Sequence, residues 1–164
     1  MPTDFLSVLQ GLNDARVRYV LVGGLAVLLH GVDRLTADID LVVDLAPEQA
    51  AKAVATLLGL GFKAHAPVDP RQFADPDVRA RWQVESGMLV FSFWDPENRR
   101  PTVDLFANNP MDFELLYRDS VELSLAPTTV RVASIAHLIA IKRAAGRAKD
   151  LEDAARLEQL GAKP

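Results

Sequence analysis

Three aspartates carry the chemistry that this sequence of 164 residues first suggests. Asp38 and Asp40 flank Ile39 in the run TADIDLVV, and Asp104 lies in PTVDLF. On a β-strand, residues two apart project from the same face. Asp38 and Asp40 would then present two carboxylates, while Ile39 and Leu41 turn the opposite way into a core. Asp104, between Val103 and Leu105, has the same relation to its neighbours. Like charges held this close raise one another's pKa unless a cation neutralises them. Magnesium does so through oxygen ligands and keeps positions open for phosphate oxygens. The plainer alternative is a strand end with solvated acids.

A glycine pair stands upstream. In YVLVGGLAVLLHG, an apolar strand-like run ends at Gly23-Gly24 and a short apolar helix follows. Backbone N–H groups at such a turn favour anions, and glycine lets a phosphate approach closely. The alternative is a tight turn that needs positive φ. No Gly-Lys-Ser/Thr follows, so the turn is not a P-loop. Leu25 and Leu28 occupy the places where a dinucleotide fingerprint would have further glycines.

Composition narrows the classes. There are no cysteines, which excludes thiol catalysis, disulfides and thiolate metal sites. The three histidines lack zinc-motif spacing, so any metal is expected on oxygen ligands. A net charge of -4 gives no overall basic field for nucleic acid, although a local patch could still grip RNA. The start of the sequence lacks a signal-peptide pattern, and no apolar run reaches the ~20 residues of a membrane span, so a cytoplasmic protein is expected.

The elements that must position these groups follow from periodicity. Phe5, Val8, Leu9 and Leu12 share one face of an opening helix, with Thr3 as a cap. Strands are expected over residues 18–22, 39–43, 62–64, 82–84, 88–94 and 102–106. A late hairpin is expected over 121–125 and 130–132. Helices are expected over 25–30, from Pro47 to Gly59, over 113–117, and at the end over 134–145 and 149–160. Residues 66–78, rich in Pro and Asp, read as a loop. The order implies one α/β or α+β domain, with a core over about 1–133 and a closing helical pair over about 134–160.

Taken together, strand, Gly-Gly, helix and acid–apolar–acid resemble the signature of the DNA polymerase β-like nucleotidyltransferase superfamily. VGGLAVLLHG…RLTADIDLVV resembles the branch of AbiEii-type toxin nucleotidyltransferases. The C-terminal VASIAHLIAIKRAAGRAKDLEDAARL extends the likeness over most of the chain. The resemblance implies a minimal polymerase β-like fold, a mixed central sheet flanked by helices. It implies magnesium-dependent transfer of an NMP unit from an NTP, ATP among them, to a hydroxyl on tRNA, protein or a small molecule. Asp38 and Asp40 would hold two magnesium ions, Gly23 and Gly24 would contact the triphosphate, and Asp104 would be the third, catalytic acid. A toxin–antitoxin or phage-defence role, with a cognate toxin or antitoxin protein as partner, would fit. A catalytically retired module that binds a partner or nucleotide is the competing function, and a metal-dependent phosphodiesterase a third.

Other residues need separate treatment. Lys142 shares the apolar face of its helix with Ile135, Leu138 and Ile139, which is costly unless it snorkels or meets an anion. The resemblance turns it towards the nucleotide. Arg34 and Thr36, just before the acids, are further nucleotide contacts. Arg143, Arg147 and Lys149 either reach phosphates or pair with Asp150, Glu152 and Asp153. Asp44 is expected as a cap or surface acid, His30 as structural, and Asp95 and Glu97 as turn residues. Trp82 and Trp94 are expected in the core, and Arg99 and Arg100 on the surface.

Overall fold

A computed structural model describes residues 4–162, and Thr3 therefore lies outside the described residues. The chain forms a mixed seven-stranded sheet with helices packed around it. In chain order the elements are α1 (Leu6–Asp14), β1 (Tyr19–Val22), α2 (Gly23–Leu29), β2 (Asp38–Val43), α3 (Pro47–Gly59), β3 (Lys63–Ala64), a 3-10 turn (Pro70–Ala74), α4 (Pro76–Ser86), β4 (Val90–Trp94), β5 (Thr102–Phe106), α5 (Phe113–Arg118), β6 (Val121–Leu125), β7 (Thr128–Val132), α6 (Ile135–Ala145) and α7 (Ala148–Gly161). The strand order is β3-β4-β5-β2-β1-β7-β6. Sequence neighbours β1–β2, β3–β4, β4–β5 and β6–β7 run antiparallel, whereas β2–β5 and β1–β7 are parallel.

Apolar burial holds the frame. Val20, Leu21, Ile39, Leu41, Val103 and Leu105 are fully enclosed in the central strands, and Val8, Leu9, Leu12 and Leu57 close over them from helices. At α1 the amide of Ser7 donates to Asp4 Oδ1 at 3.1 Å, so Asp4 serves the first turn. α6 opens on Ser134, whose Oγ accepts from the His137 amide at 3.2 Å, and stops at Gly146 with φ 70°. Among the described residues no helix is long and apolar enough to cross a membrane.

The structure departs from the sequence reading in four places. Residues 66–78 are not simply a loop, and 82–84 are not a strand: the 3-10 turn and α4 replace both. Asp69 and Asp75 each precede a proline and accept amide hydrogen bonds, so two consecutive Asp-Pro pairs start helical turns. Phe73 is completely buried beneath them, Trp82 stacks on Phe91 at 5.1 Å, and Val84 is left 86% exposed. Arg100 is not a surface charge. It pairs with buried Asp95 at 3.0 Å and lies over the Phe62 ring at 4.6 Å. Asp95 also accepts from the amides of Glu97, Arg99 and Arg100, and the Arg100 bond holds it below the usual carboxylate range. Trp94 stands at the exposed end of β4 beside His65 instead of in the core.

Candidate active site

Strand register brings the acids together. β2 pairs with β5 so that Asp40 is directly opposite Asp104, with Asp38 opposite Thr102. On the other side Asp40 is opposite Val22, the last residue before the glycine pair. Ile39, Leu41, Val103 and Leu105 fill the buried face, which forces the three aspartates onto the other. β4 adds Ser92 opposite Asp104, and its hydroxyl donates to Asp104 Oδ1 at 2.5 Å.

The glycine pair is required by what surrounds it. Gly23 has φ 71°, and a Cβ there would stand 2.7 Å from Asp40 Cγ. A Cβ on Gly24 would meet Arg34 Cζ at 2.9 Å and Thr36 Oγ1 at 3.0 Å. The tight-turn reading therefore holds: Gly23 needs its positive φ, and neither glycine has room for a Cβ beside Asp40, Arg34 and Thr36. α2 begins at Gly23 without a side-chain cap. After Gly31, an irregular stretch carries Arg34 and Thr36 back alongside Gly24.

These residues line one cleft of about 900 Å³, with Lys142, Arg147, Lys149 and Asp150 along its helical side. Asp38, Asp40, Asp104, Gly23, Gly24, Arg34, Thr36 and Lys142 therefore line a common space, and of the three further cations Arg147 and Lys149 do so but Arg143 does not. Burial, then the charges of Asp104 and Asp38, push the Asp40 carboxyl up to about 6, against partial relief from Lys142 and Lys149. Asp104 is also raised, by burial first, although the Ser92 hydrogen bond opposes this. A strand pair that keeps such charge crowded fits a cation. Among the described residues no three Asp, Glu, His or Cys side chains converge as a ready-made cage. Magnesium suits that arrangement, since it is commonly held by one or two carboxylates together with substrate phosphates.

The helical side holds what the sequence reading assigned only loosely. Lys142 is buried, and its Nζ lies 3.3 Å from Asp150 Oδ1 and 3.0 Å from Asp153 Oδ2. Asp153 also pairs with Arg34, and Asp150 with Arg147 at 2.6 Å. Burial alone would raise the Asp150 carboxyl, but its bonds to Arg147 and Lys142 hold it below the usual range. The signal was present: Asp150, Asp153, Ala154 and Leu157 follow the i, i+3, i+4, i+7 pattern of a buried helical face. Two acids in that stripe answer the lysine in the stripe of α6. Arg143 pairs instead with Glu158, and His30 Nε2 bonds Ala133 O at 2.8 Å in a structural role. Asp44 accepts from Arg18 at 2.6 Å and from the Ala46 amide at 3.0 Å.

Known proteins share similarity of sequence and fold with this chain. The family model described as nucleotidyl transferase AbiEii toxin, type IV TA system, matches residues 7–163. None of the curated proteins matches the sequence. Among solved structures, the lincomycin-bound lincosamide antibiotic adenylyltransferase LnuA superposes with a TM-score of 0.62 at 17% identity, covering 96% of this chain and 98% of that one. The solution structure of the antibiotic-resistance factor ANT(2'')-Ia gives 0.60 at 17% identity, covering 96% and 82%. Its complex with adenylyl-2''-tobramycin gives 0.55 at 17% identity, covering 94% and 91%. At that identity the likeness concerns the fold.

Proposed function

The chain belongs to the AbiEii nucleotidyltransferase family, and from that premise we propose magnesium-dependent transfer of an NMP unit from an NTP to a hydroxyl acceptor. The observation that carries this is the pairing of Asp40 with Asp104 in register beside Gly23 and Gly24. ATP is the first nucleotide to test, because the similar structures include an adenylyltransferase and a complex with an adenylylated product.

In the proposed reaction the acceptor oxygen attacks the α-phosphorus and forms a new P–O bond. The bond from the α-phosphorus to the bridging α–β oxygen breaks, and pyrophosphate leaves. Asp38, Asp40 and Asp104 would hold up to two magnesium ions, which stabilise the attacking and leaving oxygens when bound. Asp104 takes the acceptor's proton, and its raised pKa suits a base poised closer to neutral pH. Ser92 fixes the Asp104 carboxylate through its hydroxyl. The amides of Gly23 and Gly24 face the triphosphate, with Arg34, Thr36 and Lys142 on its flanks. We assign the chain to the cytoplasm, acting as one half of a toxin–antitoxin or phage-defence pair.

The test is label transfer. The protein is incubated with each α-labelled NTP, magnesium and a cell extract, beside Asp38→Asn and Asp40→Asn. Label should appear on an acceptor only with the parent protein. Equal transfer by the two variants would sink the assignment of the acids.

A further inference from the structure

The cleft is lined unevenly. Beside the acids, glycines and paired cations, its lining includes exposed apolar side chains. Leu35, on the stretch that leads into β2, is 85% exposed, and Leu89, on the stretch that leads into β4, is 68% exposed. Both line the same cleft as the acids, together with Phe106, Ile141, Ala144 and Ala145. A single exposed leucine needs no explanation. Two of them on one cleft, with Phe106, Ile141, Ala144 and Ala145 also in its lining, suit a small-molecule site. The volume agrees, since about 900 Å³ is near the top of the ~300–1,000 Å³ range for small-ligand pockets and leaves room for an acceptor beside a nucleotide.

Charge points the same way. A nucleic-acid acceptor is held largely through its phosphates, and cations not already matched by acids contribute most to a long-range grip on them. In this cleft Arg34 is held by Asp153, Lys142 by Asp150 and Asp153, and Arg147 by Asp150. Lys149 is the one cleft-lining cation without an ion pair among the described residues, and it lies close enough to Asp40 to lower that carboxyl's pKa. No basic track runs on from the cleft along α6 and α7, where Arg143 is matched by Glu158 and Arg156 by Glu152.

Given nucleotidyl transfer at this cleft, we infer that the acceptor is a small hydroxylated molecule with an apolar face, seated on Leu35 and Leu89. The hydroxyl is turned inward to Asp104 and the apolar face outward to the leucines.

An extract separated into RNA, protein and small-molecule pools tests this, each pool being offered to the protein with α-labelled ATP and magnesium. Label is expected in the small-molecule pool. With that pool, Leu35→Asn and Leu89→Asn should each raise the acceptor KM about tenfold, the scale of removing one apolar contact from a binding pocket. The KM for ATP should stay within about twofold, because neither substitution changes charge beside the acids. Label in RNA or protein would keep the transfer chemistry and overturn the apolar acceptor, as would variants with the parent's acceptor KM. No label in any pool would overturn the transfer reading itself.

Discussion

On the sheet side of the cleft, Asp38, Asp40 and Asp104 crowd like charges together, and both Asp40 and Asp104 bind protons more tightly than ordinary carboxyls. On the helical side, charge alternates: Arg34, Asp153, Lys142, Asp150 and Arg147 form a chain in which each acid touches two cations. Lys142, Asp150 and Asp153 are buried, whereas Asp40 and Asp104 are half-buried and Asp38 is exposed, yet it is the less buried side whose charge goes uncompensated. The sheet side leaves its charge to be balanced by something that binds, at a cost to the folded state. The helical side balances its own charge and so ties α6, α7 and the stretch before β2 into one wall. One half of the cleft is built for ligand chemistry and the other for holding its shape.

Substitutions should separate the two halves. Asp40→Asn is expected to cut label transfer by about 10³-fold or more, the scale of losing several kcal/mol of metal-assisted charge stabilisation. The same variant should unfold at a higher temperature than the parent in magnesium-free buffer, because a crowded charge is gone. Loss of both activity and stability would break the distinction. Lys142→Met should do the reverse in kind, destabilising the fold by about 3 kcal/mol or more because Asp150 and Asp153 are left buried with less compensation. Denaturant unfolding measures this. Adding Asp153→Leu to Lys142→Met should recover part of the loss, since removing both partners of a buried pair costs less than removing one.

Legibility in the sequence followed the same divide. The sheet side was readable because strand period and turn chemistry are local: Asp38, Ile39 and Asp40 alternate, and glycine before a short helix announces the bend. The pairing of Asp40 with Asp104 spans 64 residues of sequence, yet the resemblance placed both acids in one site. The helical side was half read. Lys142 reads as needing an anion, and Asp150 and Asp153 read as possible partners of Arg143, Arg147 and Lys149; that they answer Lys142 lies in the helical stripe they share with Leu157. Ser92 and Leu89 are not legible in the sequence as site residues. Neither has a local signature, and each gains meaning only once β4 lies beside β5. The segment 66–86 departs from the sequence expectation for a related reason. Its Asp-Pro starts were present, but α4 has no clean apolar face, and it is kept in place by Val78, Trp82 and the buried Arg79.

Acidity sharpens the contrast further, because the two sides should respond with opposite sign. Asp40 has a folded pKa of about 6 against an ordinary value of 3.8. Its contribution is fully present below the ordinary value and is lost as pH rises through about 6. In magnesium-free buffer this removes on the order of 2 kcal/mol of stability between pH 4 and pH 6. Asp150 is depressed, so its contribution is present above the ordinary range and lost as pH falls through its folded pKa. Unfolding curves across pH should therefore lose the first trend in Asp40→Asn and the second in Asp150→Asn. If Asp40→Asn kept the parent's profile above pH 4, the crowding would not be the source of the cost.

Ser92→Ala is the mildest test of the same idea. The hydroxyl donates to Asp104 and opposes the rise in its pKa, so removing it lets that rise grow. The alkaline-going limb of the pH–rate profile should move to higher pH, while transfer at the plateau falls about tenfold or less, in line with one net hydrogen bond of about 1 kcal/mol. Stability should hardly change, because Ser92 is only partly buried and its loss leaves Asp104 open to solvent in the cleft. A large loss of stability with no movement of the pH limb would place Ser92 with the self-balanced wall instead of the reactive face.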